Sequence, residues 1–350
     1  MMRIYNYELL KHLPYSMETI QLLTKIDEYK GKQDLYKKQS PQILETLKNV
    51  AIIQSTKSSN AIEGIVITDK RLKSIMAERT VPMDRSEGEI AGYRNVLKLI
   101  HASYDAIPLS PSIIKQLHRD LYEYVPSQGG EWKNQDNYIS EALPNGEKFI
   151  RFIPVPAFQT DEHMRLLCMT FQHTTQKSDI HPLIAIATFI LDFLCIHPFH
   201  DGNGRMSRLL TLLLLYKFGY EVGRYISMET LIEESKETYY DVLKRSSIHW
   251  HEGKNDIFPW LHYFLSIIVA AYKKLEERVG YIETGRGNKR KRIQDFIEGK
   301  VGYFTKGDIR HACPDISEAT INRVLNELKE AKKITPIGKG RGSKWRKISE

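Results

Sequence analysis

At 350 residues, 41% hydrophobic and 27% charged, the chain is long enough for about two domains with a large core and too ordinary in composition to be disordered, collagenous or disulfide-stapled. The longest apolar run, Leu183–Ile196, contains Asp192 and is too short to cross a bilayer, so no membrane partner is expected. The net charge of +8 is uneven: from Arg286 onward 17 Lys and Arg face 8 Asp and Glu, while the rest of the chain balances at 34 against 35. That asymmetry predicts a separate basic tail domain with an anionic partner.

The opening MMRIYNYELLKHLPYS lacks the apolar stretch of a signal peptide. Cys168, Cys195 and Cys313 have no CxxC spacing, and two lie in apolar helical segments. Buried reduced thiols and a cytoplasmic location are therefore expected.

Taken in chain order, the first 130 residues read as helical. Ser40–Pro41 is a cap followed by proline at the first helical position. The run after it carries an apolar stripe (Ile43, Leu47, Val50, Ile53) and ends at Gly64, which is suited to a left-handed close. Further helices are expected around Glu87–His101 and Ser110–Tyr124. Asn137–Ser140 and Phe149–Val155 then look extended, and Asn145–Gly146 between them predicts a hairpin. Pro154 and Pro156 limit the second strand. From Asp161 to Arg278 the pattern is helical again, with breaks at Gly223, Gly253–Asn255 and Pro259. Gly280–Asn288 reads as a linker.

Between two of these apolar helices lies His197–Pro198–Phe199–His200–Asp201–Gly202–Asn203–Gly204–Arg205. Proline stops the first helix near His197. Gly202 and Gly204 let the backbone turn and approach a ligand. The next helix begins near Asn203–Gly204, so its unpaired amides and dipole point into the loop and suit a phosphate. Arg205 and Arg208 share one face of its first turn. Two cations at a helix N-terminus are disfavoured unless an anion binds there. Asp201 beside that anion calls for a cation, which Mg²⁺ bridging to phosphates would supply. His197 and His200 are the groups that can take a proton near neutral pH. The set His197, His200 and Asp201 would also suit a metal hydrolase, although such a site needs neither the glycines nor the arginines.

The run HPFHDGNGRMSR resembles, at every defining position, the signature HPFx(D/E)GNGRxxR of the Fic family, and the resemblance covers about Tyr93–Leu275. It implies transfer of AMP from ATP to a Ser, Thr or Tyr hydroxyl of a target protein. His197 would be the base and Asp201 the Mg²⁺ ligand. The amides of Gly202–Gly204, with Asn203, would cradle the α- and β-phosphates. Arg205 would bind the phosphate chain and Arg208 the γ-phosphate. Tyr239 and Tyr240 match a region that packs on adenine. The 137–156 hairpin resembles the family's flap, on which the target segment docks by main-chain pairing. His200 stands at the variable position and has no assigned role.

Ser59–Asn60–Ala61–Ile62–Glu63–Gly64 matches (S/T)xxxE(G/N), the inhibitory helix of the Fic class that carries it N-terminal to the core. The resemblance implies that Glu63 pairs with Arg208 and takes the arginine meant for the γ-phosphate. A glutamate so placed could also position a water for removal of AMP.

In the tail, Lys289–Glu298 reads as a helix, Thr305 caps a second, and Ser317 caps a third whose stripe is Ile321, Val324, Leu325 and Leu328. A strand–turn–strand follows. Three helices and a basic hairpin resemble a winged helix-turn-helix domain. Glu318, Thr320, Asn322 and Arg323 would lie near a groove, with Lys339, Arg341, Lys344 and Arg346 on the wing. DNA or a protein partner, a second copy included, remain alternatives.

The expected protein is mainly α. Residues 1–90 form an N-terminal region with the inhibitory helix, 91–279 a Fic core and 286–350 a winged helix. A DNA-binding regulator that only senses nucleotide, a de-AMPylase and transfer of another nucleotide stay open as alternatives.

Overall fold

The computed structural model describes residues 5–39, 41–126, 129–142, 148–177, 179–283, 289–299, 303–314, 316–337 and 344–348. The chain divides into two compact units, Met1–Leu275 and Glu276–Glu350. The first opens with a 3-10 turn (Tyr7–His12) and five helices: α1 (Met17–Gln39), α2 (Pro41–Ile62), α3 (Asp69–Met76), α4 (Arg85–Ser103) and α5 (Pro111–Leu121). An antiparallel hairpin follows, β1 (Ile139–Ala142) with β2 (Lys148–Phe152). Helices α6 (Thr160–Gln176), α7 (Pro182–Ile196), α8 (Asn203–Lys217), α9 (Met228–Glu234), α10 (Lys236–Ser247) and α11 (Phe258–Glu283) complete the unit, α11 running on past its end.

The core is built on α7, whose residues are buried on every face except at Pro182 and Leu194. It packs between α6 and α8. Burying each Leu, Ile or Phe there is worth about 1.5–3 kcal/mol. The one ionisable group on this helix, Asp192, is fully buried but satisfied: Tyr7 Oη donates to it at 2.8 Å and Trp250 Nε1 at 2.7 Å. Asp192 thereby ties the N-terminal turn to the core.

Helix α2 corrects one expectation. Val50 and Ile53 of the expected stripe are 38% and 40% exposed. The buried face is instead Leu44, Ala51, Ile52 and a run of small polar residues: Ser55, Thr56, Ser58, Ser59 and Asn60. The Ser55 and Ser58 hydroxyls can be buried because they find partners, whereas Thr56 Oγ1 has none among the described residues. Ser55 Oγ donates to Glu229 at 2.6 Å and Ser58 Oγ lies 3.0 Å from Thr230 Oγ1, both on α9. The helix closes as expected, with Gly64 at φ +81°. Ile65 N donates to Asn60 O and Gly64 N to Ala61 O, a Schellman closure. Pro41 is the first helical residue, whereas the Ser40 cap lies outside the described residues.

Ser110 caps α5, accepting from Ile113 N. In the hairpin both strands differ slightly from expectation. β1 reaches Ala142, and β2 stops at Phe152, ahead of Pro154, which has no N–H for a ladder. Asn145–Gly146 lies outside the described residues. The expected linker is shorter, since Gly280–Glu283 belong to α11.

The second unit holds α12 (Lys289–Gly299), β3 (Tyr303–Thr305), α13 (Lys306–Ala312), α14 (Glu318–Glu330), β4 (Ile334–Ile337) and β5 (Lys344–Lys347). Its core unites the stripe Ile321, Val324, Leu325 and Leu328 with Ile293, Ile309, Phe304 and Trp345. Thr305 caps α13 in a full capping box with Asp308. Strand β3, unforeseen from the sequence, pairs with β5 to give the sheet order β3-β5-β4. Three residues are too few to show a period. Lys339 and Arg341 lie outside the described residues.

Candidate active site

The loop between α7 and α8 owes its shape to both helix ends. His197 caps α7 in a left-handed conformation (φ 51°), its N–H donating to Phe193 O at 3.0 Å. Gly202 starts α8 at φ +80°. Asn203 straps the loop internally: Phe199 N donates to its Oδ1 at 2.9 Å and its Nδ2 donates to Phe199 O at 2.7 Å. Phe199 in turn stacks on His118 with ring centres 3.6 Å apart.

A second segment braces the loop from outside. Lys133 N donates to Pro198 O at 2.8 Å and Lys133 Nζ to Ile196 O at 3.1 Å. Asn137 Nδ2 donates to Phe199 O at 3.0 Å. Gly130 N donates to His118 Nδ1 at 2.8 Å, so the other ring nitrogen carries the proton and donates to Asp201 O at 3.0 Å. Burial pulls the Lys133 ammonium down to about 8 and His118 down to about 4. His118, Lys133 and Asn137 carry no sequence signal of this role, being 60 to 85 positions upstream of the groups they hold.

His197 is set up as a neutral base. Its Nδ1 faces Leu194 O at 3.3 Å, which fixes the proton there and leaves Nε2 to accept. Burial is the main cause that lowers its pKa to about 4. The Leu194 carbonyl and Glu63 oppose that change, and Lys133 and Arg151 add to it.

The two arginines part company. Arg208, 4% exposed, donates through Nε to Ser59 Oγ at 2.8 Å and through Nη2 to Ser59 O at 2.8 Å and Glu63 Oε1 at 2.7 Å. Its Nη1 is buried without a hydrogen-bond partner among the described residues. Burial works against its charge, but Glu63, with Tyr239 and Tyr93 adding to it, outweighs burial, so its pKa is raised. Arg205 turns the other way, donating to Glu89 Oε2 at 2.6 Å and Tyr122 Oη at 2.8 Å, and is fully buried.

Glu63, Gly204, Arg208, His197, Tyr239 and Tyr240 line one cleft of about 600 Å³, together with Arg151 and Phe152 of β2. Ser59 stands behind Arg208. Asn203 and Arg205 are absent from the cleft lining; Asn203 bonds to Phe199, and Arg205 to Glu89 and Tyr122, with its Nε buried without a hydrogen-bond partner among the described residues. The sequence did not single out Arg151, Glu89 or Arg85.

Asp201 projects outward. Its Oδ1 accepts from Gly202 N at 2.6 Å and its Oδ2 from Arg85 Nη2 at 2.8 Å. An exposed carboxylate fits Mg²⁺, which keeps several waters and takes one or two carboxylates plus phosphate oxygens. Arg85 occupies one of its two oxygens. His197, His200 and Asp201 do not form a metal-holding group, and His200 Nε2 is engaged instead by Asn134, whose Oδ1 lies 2.8 Å and whose N lies 3.2 Å away.

The model of the Fic/DOC family matches residues 108–215, the stretch from α5 through the loop to α8. The chain carries a Fic/DOC family domain. It is 27% identical over 291 residues to the protein adenylyltransferase Fic of Drosophila virilis, covering 79% of this chain and 53% of that one. To the protein adenylyltransferase Fic of Drosophila grimshawi it is 28% identical over 228 residues, covering 63% and 42%. The chain thus spans about half the length of the curated relatives it matches. A Fic family protein from Desulfovibrio desulfuricans G20 superposes with a TM-score of 0.61 at 19% identity, over 97% of this chain and 98% of that one. That likeness extends the shared fold well beyond the Fic domain itself. Among the described residues no helix is long and apolar enough to cross a membrane.

Proposed function

We propose that the Fic domain transfers AMP from ATP to a hydroxyl of a protein target, and that Glu63 restrains it. The Glu63–Arg208 pair inside the cleft of His197 carries this reading. The target hydroxyl oxygen attacks the α-phosphorus while the bond from that phosphorus to the β-bridging oxygen breaks. The hydroxyl proton passes to His197 Nε2, and the electron pair leaves with diphosphate. The free amides at the start of α8 receive phosphate oxygens, and Arg208 holds the γ-phosphate once Glu63 lets go. Arg205, locked on Glu89, sets the pitch of the first turn of α8 rather than touching phosphate. Asp201 would hold Mg²⁺, which when bound neutralises phosphate charge. Tyr240, half in the cleft, and Tyr239 beside it offer the adenine face.

The hairpin β1–β2 offers an open edge for a target strand. Residues 1–90 act as the restraining region, 91–279 as the catalytic core and 286–350 as a winged helix domain. The order α12-β3-α13-α14-β4-β5 supports that last assignment, and the basic excess supports duplex DNA as its partner. Cys168, Cys195 and Cys313 are buried and outside any disulfide among the described residues, in keeping with a cytoplasmic protein.

The test is ATP labelled at the α-phosphate, incubated with the full chain and a lysate, followed by mass analysis of labelled proteins. Glu63→Gly should label strongly, wild type weakly and Glu63→Gly/His197→Ala not at all. Absence of a 5′-AMP adduct with Glu63→Gly would overturn adenylyl transfer, and equal labelling with wild type would overturn the restraint.

A further inference from the structure

The hairpin carries one irregularity. Ile139 pairs with Phe152 and Ser140 with Ile150, so Arg151 is left without a partner across the ladder. Such a bulge turns a side chain out of strict alternation, and bulges concentrate beside active sites. Here Arg151 and its neighbour Phe152 both line the cleft of His197 and Arg208. Consecutive residues of a regular strand face opposite sides. Phe152 is fixed by stacking on His251, ring centres 5.4 Å apart. The bulge is what brings Arg151 in beside it.

Arg151 is half-buried, and among the described residues it forms no ion pair. Its hydrogen bond to the Tyr240 carbonyl is long, at 3.5 Å. Glu141, the opposing charge that bears most on it, is bound to Lys244 Nζ at 2.8 Å. A guanidinium cannot shed its proton. Holding one half-buried without a carboxylate is costly unless an anion arrives. Its charge is also felt at His197, where it acts with Lys133 and against Glu63. Arg151 therefore stands at the end of the cleft where the proton is taken, while Arg208 is tied to Glu63.

We infer that Arg151 contacts the substrate, donating to a non-bridging oxygen of the α-phosphate, the group that is transferred. This rests on the adenylyl-transfer reading above. As the hydroxyl oxygen joins the α-phosphorus and diphosphate leaves, those oxygens stay negative. An N–H donor fixed in a partly dry cleft holds them in line with His197.

Calorimetric titration of the full chain tests this with adenosine, AMP and Mg²⁺·ATP. The proteins are Glu63→Gly, Glu63→Gly/Arg151→Gln and Glu63→Gly/Arg151→Lys. AMP differs from adenosine only by the α-phosphate. The Gln variant should lose about 10- to 100-fold in AMP affinity with adenosine affinity unchanged, and the Lys variant should recover part of the loss. An AMP-to-adenosine ratio that stays the same in the Gln variant overturns the inference. So does a parent protein that binds AMP no better than adenosine. The adenylyl-transfer reading fails separately, through absence of an AMP adduct with Glu63→Gly itself.

Discussion

Glu63 Oε1 accepts from Arg208 Nη2 at 2.7 Å and lies 2.2 Å from the place where a Cβ on Gly204 would stand. The carboxylate thus does two things at once. It holds the arginine, and it covers the first turn of α8, whose amides are the proposed phosphate site.

Removing it should cost stability and raise activity. Arg208 is 4% exposed and keeps both Ser59 contacts, but it loses its only carboxylate partner among the described residues. Glu63→Gly should cost about 3 kcal/mol, read by thermal melting, while AMP transfer rises at least tenfold. Arg208→Ala in the same background should return transfer to the wild-type level or below.

Gly204→Ala should separate the two roles. The flexible end of Glu63 can move away from a new methyl group, so the melting temperature should fall little. Phosphate oxygens need the same space and have no alternative path to the amides. ATP affinity, measured by titration calorimetry, should fall at least tenfold, and adding Glu63→Gly should not restore it.

How far α2 holds the restraint in place can be tested from its far side. Ser55 Oγ donates to the buried Glu229 at 2.6 Å, and Tyr93 Oη shares that carboxylate at 3.1 Å. Ser55→Ala leaves Glu229 short of a donor, at about 1–3 kcal/mol. It should raise amide exchange along α2 and raise wild-type AMP transfer without touching the cleft.

Acid should weaken the fold through imidazoles buried neutral. Burial lowers His101 to about 3, and His118 and His197 to about 4, from an ordinary value of 6.5. Above pH 6.5 neither state holds the extra proton and stability is full. Between pH 6.5 and about 4 the unfolded chain takes protons that the fold refuses. Each such imidazole then costs the fold about 1.4 kcal/mol for every pH unit descended. Melting temperature should therefore fall steadily through that window. His118→Gln should flatten the slope. Transfer by Glu63→Gly should show no acid limb from pH 8 to 5.5, because losing Glu63 moves His197 further down.

The C-terminal unit should bind duplex DNA with an affinity that drops steeply between 50 and 200 mM salt. Lys344 and Arg346 are exposed on β5, flanking the buried Trp345. Their double replacement by Glu should abolish a gel shift that wild type gives at low salt. No shift at low salt would remove DNA as the partner.

What was legible in the sequence was what local chemistry dictates. Proline after His197, glycine at 202 and at 64, and Thr305 as a cap each act within a few residues, and each stands where it was read. The site residues Glu63 and Arg208, 145 positions apart, were readable together only through resemblance to a known motif. Long-range partners were not readable. Arg205 looks like Arg208 in sequence, yet Glu89 and Tyr122 draw it inward. The stripe Val50–Ile53 looked like the buried face of α2, but acceptors on α9 made the serine face the better one to bury. Arg151 gave no sign, since a bulge arises from the pairing of two strands and not from either alone.

Helix α2 is fastened at Ser55, Ser58 and Ser59 before it ever presents Glu63 to the cleft. The restraining carboxylate is therefore a tethered ligand, with an effective concentration of the order of mM or more set by the fold. Diluting the protein does not weaken it, and ATP must compete against a rival that never diffuses away. Occupancy of the γ-phosphate seat then follows the ratio of nucleotide to that fixed local concentration. Anything that loosens α2 by about 1.4 kcal/mol changes the ratio about tenfold.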